Sequence, residues 1–382
     1  MSVALSVLIL VVVLGVLITA HELGHYFMAR LTGVAVNEFA IGMGPAIWSR
    51  RKKDAEGNRT GTKFSLRVFP IGGFCAMEGE DESSSNPHAF NNRPRWARAL
   101  VLVAGSLMNF LVGLLILLVL LGTTVGKDVA TARIGSLMAG FPLEGEQGLM
   151  AGDQILRIDG QPVYTQMDVS LLMSRRSGGS FDFVVRRDGK RVEVSLPLEK
   201  REYGAETYDI VIYTPQGVET TPAYSEGGRY YGFRFAFERV TLLTAVKNAW
   251  LQGIDYVRLV WMSLGDLVTG RAGLDELMGP IGMGAQINEV VSDPDPNVTP
   301  WWRAATILNM AALIAVNLAV MNLLPLPALD GARILFVGLE AVRRKPVNPR
   351  IEGVIHMAGM VLLIGLMIFA AFNDVIRQVL KL

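Results

Sequence analysis

Residues 1–29 read MSVALSVLILVVVLGVLITAHELGHYFMA, an apolar run that carries two histidines and a glutamate near its end. Its first 20 residues contain no Asp, Glu, Lys or Arg. A helix rises about 1.5 Å per residue, so about 20 residues cross a hydrocarbon core of ~30 Å. No Lys or Arg precedes the run and no small-residue cleavage site follows it. The run therefore predicts a first transmembrane helix and not a signal peptide.

Three more windows lack charged side chains, namely Ala99–Gly126, Ala304–Leu329 and Gly353–Asn373. The chain is 51% hydrophobic and only 19% charged, against about a quarter charged in soluble proteins. These features predict a polytopic α-helical membrane protein with four transmembrane helices, in contact with the lipid bilayer, and exclude a cytosolic enzyme. The formal net charge of +1 gives no reason to expect a nucleic-acid partner. The single Cys75 excludes an intramolecular disulfide.

Basic residues set the orientation of the four helices. They are concentrated in the connections that contain residues 50–53 and 343–345. Cytoplasmic loops are enriched in Lys and Arg, so both connections are expected in the cytoplasm and both termini outside it. The predicted segments are helix 1–29, cytoplasmic loop 30–98, helix 99–126, an extracytoplasmic β-rich domain 127–200, an extracytoplasmic linker with an amphipathic helix 201–303, helix 304–331, cytoplasmic loop 332–352, helix 353–376 and a C-terminal tail 377–382.

Two β-rich segments interrupt the helical pattern. In 127–200, Asp188–Gly189 joins two alternating runs and predicts a hairpin, and Gln166–Arg175 predicts a helix. In the first cytoplasmic loop, Lys63–Phe69 alternates apolar with polar residues. Gly72–Gly73 breaks this run and Phe74–Met77 returns, which predicts a second, membrane-associated β-hairpin on the cytoplasmic side.

The motif His21-Glu22-Leu23-Gly24-His25 carries the predicted chemistry. Side chains at i and i+4 of a helix point the same way, so both imidazoles can bind one Zn²⁺ with Glu22 beside its water. The alternative is a pair of interfacial histidines with a snorkelling glutamate. An intramembrane carboxylate without a partner or a task costs a few kcal/mol, which favours the zinc site.

A catalytic zinc needs a third protein ligand and an open position. The first and third helices both run from outside to inside, so their cytoplasmic ends reach the same depth. The third charge-free window ends at Asp330, which follows Asn322 and two prolines that unwind the helix. In the alternative interpretation, Asp330 is a helix cap and Asn322 is a packing amide.

These motifs, HELGH and Asn322-x-x-Pro-x-Pro-x-Leu-Asp330-Gly, resemble those of the site-2 protease family of intramembrane zinc metalloproteases. Within that family, the chain is more similar to the bacterial branch with an extracytoplasmic PDZ domain, the regulator of sigma-E type. Residues 42–45, 69–74 and 279–282 agree with that branch, and the resemblance covers essentially the whole chain. Ser106 departs from it, because the family usually has proline there. The chain also has one PDZ-like domain where some members have two.

The resemblance implies roles for particular residues. His21, His25 and Asp330 would bind Zn²⁺, and Glu22 would activate water and pass its proton to the leaving amine. Asn322 would hold the substrate backbone. The hairpin Lys63–Met77 would pair with an unwound substrate segment, with Gly72 and Gly73 either contacting substrate or only making a turn.

The resemblance also implies a function and a place. The chain would cut single-pass transmembrane proteins, such as an anti-sigma factor or remnant signal peptides, near the cytoplasmic face of the bacterial inner membrane. Residues 151–163 resemble part of a PDZ domain, which would bind a peptide C-terminus, filter substrates by size, or act only as a spacer. The rival interpretations are a zinc protease whose site lies in an aqueous domain and an inactive PDZ-bearing membrane scaffold. The sequence leaves the substrate, the preceding protease and the oligomeric state open.

Overall fold

A computed structural model describes residues 3–53, 59–80, 84–142, 145, 147–176, 178–273, 278–296, 298–345 and 347–380. The helices are α1 (Val3–Thr32), α2 (Arg95–Gly122), α3 (Gln166–Ser174), α4 (Leu242–Thr269), α5 (Pro280–Ser292), α6 (Pro300–Asn322), α7 (Asp330–Arg343) and α8 (Pro349–Leu380). The strands are β1 (Val36–Lys53), β2 (Arg59–Met77), β3 (Asp128–Leu137), β4 (Gln154–Ile158), β5 (Gln161–Pro162), β6 (Ser180–Arg187), β7 (Lys190–Pro197), β8 (Arg201–Tyr203), β9 (Glu206–Thr214), β10 (Gly217–Ser225), β11 (Gly228–Tyr230) and β12 (Phe233–Arg239). The chain divides into two compact units, residues 1–116 with 256–382 and residues 117–255.

Four of the described helices are long and apolar enough to cross a membrane: α1, α2, α6 and the part Arg350–Ile376 of α8. The predicted polytopic helical class is therefore confirmed. Many of their large apolar side chains are exposed, for example Val16 on α1 and Leu362 on α8. Side chains that face lipid tails need no protein partner, so this exposure fits a membrane-embedded bundle.

The third span differs from its predicted extent, 304–331. Helix α6 begins at Pro300 and ends at Asn322, and the separate helix α7 occupies most of the predicted loop 332–352. Pro325 and Pro327 follow the end of α6, and proline cannot donate the backbone hydrogen bond that continues a helix. The predicted tail from residue 377 is also helical as far as Leu380, and residues 381–382 lie outside the described residues.

The predicted hairpin Lys63–Met77 is wrong in its pairing. Residues 36–41 of β1 lie between its two halves, because Phe39 pairs with both Phe64 and Cys75. The alternation in 63–69 correctly indicates a strand, and residues 74–77 are also in a strand as predicted, but strand partners depend on contacts that a local pattern does not contain. Among the described residues, no strand pairs with the other edge of residues 73–77.

The unit 117–255 is built on a sheet of order β10-β9-β12-β3-β4-β6-β7. Phe181, Phe183 and Val185 of β6 are buried in its core. The predicted helix at α3 and the predicted hairpin β6–β7 are both present, and Asp188 and Gly189 at the hairpin turn have φ of 48° and 78°. Positive φ at both central residues is the signature of the tight hairpin turn that the sequence indicated.

The predicted boundary at residue 200 differs from the structure. Strand β12 pairs antiparallel with β3, so the β-rich unit extends well into the stretch 201–303 that was predicted as a linker. Strands β9 and β10 also lie in that stretch and pair with each other. Only Ile212 of β9 and Ala236 of β12 are buried in these three strands, so the sequence lacks the regular apolar alternation that indicates a strand.

Candidate zinc site

The HELGH motif lies on α1 inside a candidate membrane span. His21 and His25 are one helical turn apart and both are buried, with 8% and 6% of their surface exposed. Their Nε2 atoms are 3.0 Å apart. The two imidazoles therefore converge on one point, as the i, i+4 spacing predicts.

Asp330 completes this cluster from the first position of α7. Its Oδ2 atom lies 3.1 Å from His21 Nε2 and 3.3 Å from His25 Nε2. The predicted ligand set is thus brought together from α1 and α7. Among the described residues it is the one cluster of at least three His, Cys, Asp or Glu side chains that could hold a metal ion.

The chemistry of these three atoms fits a bound cation. The Nδ1 atom of His25 is 2.8 Å from the carbonyl oxygen of Val101, which can only accept a hydrogen bond. A neutral His25 therefore carries its proton on Nδ1 and directs the lone pair of Nε2 at Asp330. Oδ2 of Asp330 is buried and receives no hydrogen bond from the described residues. Tetrahedral zinc with bonds of ~2.0 Å places its ligand atoms about 3.3 Å apart, which agrees with the observed separations.

Two glycines allow α2 to pack directly on the motif. A Cβ atom on Gly24 would collide with the carbonyl group of Ala104. A Cβ atom on Gly105 would collide with the ring of His25 and lie 2.7 Å from Cε1 of His21. Both rings therefore pack directly against the backbone of α2 at Gly105.

The turn between α6 and α7 is held by α8. Ala328 has φ of 74°, a left-handed conformation that L-residues rarely adopt. Its backbone N–H donates a hydrogen bond of 3.0 Å to Nδ1 of His356. Gly359 of α8 allows the close approach, because a Cβ atom there would collide with Pro327. Helix α8 therefore supports the turn that ends at Asp330.

Glu22 faces the unpaired edge of residues 73–77. The backbone N–H of Cys75 donates to its carboxylate, and the N–H of Met77 lies 3.4 Å from Oε2 of Glu80. Glu80 in turn forms an ion pair with Arg333 of α7. This edge, Glu22 and the His–Asp cluster line one cavity of about 380 Å³. Burial raises the pKa of the Cys75 thiol, helped by the charges of Glu22 and Glu80, so the only cysteine stays protonated.

The remaining predicted site residues lie around this cavity. The amide nitrogen of Asn322 is 3.4 Å from Nδ1 of His21. Gly72 has φ of 87°, which favours glycine at this bend. A Cβ atom on Gly73 would lie 2.8 Å from the carbonyl oxygen of Ala40 and 3.8 Å from Cγ of Glu22. Gly73 thus keeps the strand close to both β1 and the glutamate.

Sequence reasoning missed two groups that shape the site. His356 is one of them, because no spacing in the sequence connects it with Ala328. The pair Glu80 and Arg333 was also missed, although Arg333 stands one helical turn after Asp330. That spacing places both side chains on one face of α7 and was the available signal.

Comparison with known proteins agrees with this geometry. The sequence pattern of peptidase family M50 matches residues 9–366. The chain belongs to peptidase family M50. Metalloprotease MmpA of Caulobacter vibrioides is 30% identical over 96% of this chain and 94% of its own length.

Two other relatives are named zinc metalloproteases. Zinc metalloprotease RasP of Oceanobacillus iheyensis is 28% identical, covering 97% of this chain and 99% of its own. Zinc metalloprotease RasP of Geobacillus kaustophilus is 26% identical, covering 97% of each chain. This M50 protein is thus a zinc metalloendopeptidase of the site-2 protease type with Zn²⁺ as its cofactor.

Proposed function

We propose that this chain cleaves transmembrane proteins within or beside their membrane-spanning segments, near the cytoplasmic face. The observation that carries the proposal is the position of His21, Glu22 and His25 inside the candidate span Val3–Thr32. Asp330 reaches the same point from just beyond the end of a second span, α6. A substrate bond cut at this site must therefore come to the depth of the membrane.

The roles of the residues follow from their positions. His21, His25 and Asp330 would hold the zinc, and Asn322 would hold substrate or the ring of His21. Zinc, when bound, supplies Lewis acidity that polarises the scissile carbonyl and makes a water molecule more acidic. Glu22 lies in the same cavity, accepts the proton from the attacking water and delivers it to the nitrogen of the leaving amine.

The edge of residues 73–77 is the proposed binding place for the substrate backbone. A transmembrane helix protects its peptide bonds with its own hydrogen bonds, so cleavage requires local unwinding. Addition of the unwound segment as a strand satisfies its freed backbone groups. The outward N–H groups of Cys75 and Met77 can bind this strand once they no longer donate to Glu22 and Glu80. Gly73 keeps this edge beside Glu22, which favours a substrate role for the Gly72–Gly73 bend.

We extend the proposal to orientation and substrate class. The basic connections support a membrane-associated β1–β2 sheet on the cytoplasmic side of the bacterial inner membrane, and both termini and the unit 117–255 on its outer side. That unit would be PDZ-like and would bind a substrate C-terminus or restrict substrate size. The substrates would be single-pass proteins of the anti-sigma factor or remnant signal-peptide kind.

One experiment separates this function from its rivals. Wild type and Glu22→Gln are purified in detergent, their zinc content is measured, and both are assayed on a transmembrane model substrate and on a soluble unfolded protein. We expect equal zinc content in the two proteins. Wild type should cleave the transmembrane substrate, and Glu22→Gln should cleave it about 10² to 10⁴ times more slowly. Cleavage of the soluble protein alone would indicate an aqueous-site protease. Full activity of Glu22→Gln would remove Glu22 from the mechanism.

A further inference from the structure

The unit 117–255 contains a cavity of about 540 Å³ that is separate from the zinc site. Its floor is the sheet face formed by β3, β4 and β6, and its walls are the start of α3 and the first half of α4. Leu121, in the last turn of the candidate span α2, also lines it. The cavity therefore lies beside the C-terminal end of α2.

A row of positive side chains crosses the floor of this cavity. Arg133 of β3 pairs with Gln154 of β4, and Gln154 pairs with Arg186 of β6. Directly opposed residues of neighbouring strands point to the same face of a sheet. Arg191 of β7 extends the row, because it pairs with Arg186. A residue adjacent to each of Arg133, Gln154 and Arg186 is buried in the core on the other face. These adjacent residues are Ile134, Ile155 and Val185.

Among the described residues of the unit, no ion pair neutralises the positive charge in the cavity. Lys247 of α4 joins Arg133 and Arg186 in the lining, and none of the three forms an ion pair in the part of the chain that the structure describes. Arg133 instead stacks on Tyr213, with its guanidinium carbon 4.2 Å from the ring centre. Glu238 is the one carboxylate among the described residues that line the cavity. Three like charges around one cavity favour an anionic ligand.

The rim of the cavity adds an apolar element. Leu243, Val246 and Trp250 of α4 are exposed by 79%, 48% and 50% and lie on one side of the helix. Lys247 borders this stripe, and Leu251 one turn later lines the cavity. Exposed apolar residues beside basic ones are the pattern of a helix that lies in a membrane interface. The ligand therefore needs an anionic group that is joined to apolar chains.

We propose that this cavity binds the headgroup of an anionic phospholipid, with the phosphate held by Arg133, Arg186 and Lys247. The acyl chains extend along Leu121 and the exposed stripe of α4 into the adjoining bilayer. The bound lipid attaches the unit 117–255 to the membrane surface, because Arg133 and Arg186, which hold the phosphate, lie on the sheet of that unit. This role does not depend on the proposed substrate or cleavage depth, and the site would function equally in an inactive enzyme.

The test uses the full-length protein in a nonionic detergent and dihexanoylphosphatidylglycerol, titrated by calorimetry below its micelle concentration. We expect saturable binding at one site, at least about tenfold weaker for dihexanoylphosphatidylcholine. The double variant Arg133→Gln/Arg186→Gln should lose at least about tenfold in affinity, because two charged hydrogen-bond donors to the phosphate are gone. Arg201→Gln removes an exposed charge that lies outside the cavity lining and should bind as wild type does.

Other outcomes overturn the proposal. Equal affinity for glycerol 3-phosphate would identify a soluble anion in place of a lipid, and tighter binding of a polyglutamate peptide would identify an acidic protein segment. Unchanged phosphatidylglycerol binding by the double variant would place the lipid elsewhere. Thermal unfolding of each variant is measured first. If Arg133→Gln/Arg186→Gln unfolds at a lower temperature than wild type, Lys247→Gln on the exposed side of α4 provides the test.

Discussion

The imidazole of His356 accepts a hydrogen bond from the backbone N–H of Ala328 across 3.0 Å, two residues before Asp330. Ala328 has φ of 74°, which costs of order 1–3 kcal/mol for a residue with a side chain. A strained turn persists only when its surroundings hold it. His356 therefore positions the turn that delivers Asp330, although it does not touch the metal cluster itself.

Substituting His356 tests this relationship. His356→Ala removes the acceptor, so we expect zinc affinity to fall by about tenfold or more, as for other groups that support metal ligands. Asparagine can place its side-chain oxygen near the former Nδ1 position, so His356→Asn should recover most of that affinity. Competition with a chromogenic chelator on the purified protein measures both. Wild-type affinity in His356→Ala would show that the turn supports itself.

Asp330→Ala removes one of the three converging side chains that we propose as zinc ligands. Zinc content, measured by elemental analysis after dialysis against a weak chelator, should fall well below one ion per chain, because two imidazoles alone hold zinc weakly. Proteolysis should disappear with the metal. If the variant keeps its zinc, Asp330 is not a ligand and its contacts with His21 and His25 have another meaning.

Gly105→Ala tests the close packing of α2 on the motif. The added methyl group would lie 2.6 Å from Cε1 of His25, so the ring or the helix must move. We expect lost zinc binding together with a destabilisation of about 1–3 kcal/mol. Gly122→Ala on the same helix is the matched control, because no atom lies within 4 Å of the added Cβ. Equal behaviour of the two variants would contradict the packing described for Gly105.

Glu38 gives a prediction for acid stability of the β1–β2 sheet. Burial opposes its ionisation, but donors on Ser65, Arg67 and Lys63 prevail and lower its pKa from 4.5 to about 2. The folded-state pKa lies below the unfolded value, so the stabilisation is present above pH 4.5 and is lost as the pH falls towards 2. The difference in thermal midpoint between wild type and Glu38→Gln should therefore shrink from pH 6 to pH 3. A difference that is independent of pH would exclude this ionisation as its source.

The sequence predicted the features that depend on neighbouring residues. Charge-free windows indicated the four spans, because crossing the hydrocarbon core requires about 20 apolar residues. Asp188–Gly189 indicated the turn between β6 and β7, because only residues that tolerate positive φ form it. The third span was less well predicted: its apolar composition continues past Asn322, but the helix ends there before the two prolines.

Features that depend on distant partners were not predictable in the same way. The position of residues 36–41 between the two halves of the expected hairpin follows from register, and the pairing of β12 with β3 joins segments about a hundred residues apart. Periodicity shows that a strand has an apolar face but not which strand lies beside it. The contact between His356 and Ala328 was not predictable for the same reason, because no local pattern around His356 connects it with Ala328.

The sequence by itself determined the membrane class and the facing pair His21 and His25, because helix geometry converts a spacing of four into one direction. It also nominated Asp330 through the place where a charge-free window ends. Only the tertiary structure brought Asp330 to within 3.3 Å of both histidines, placed the edge of residues 73–77 at Glu22 and supported Ala328 with His356. The physical reason is that helix packing depends on the two surfaces that meet, and the order of residues along one helix does not specify its partner. Gly24, Gly105 and Gly359 permit this packing here.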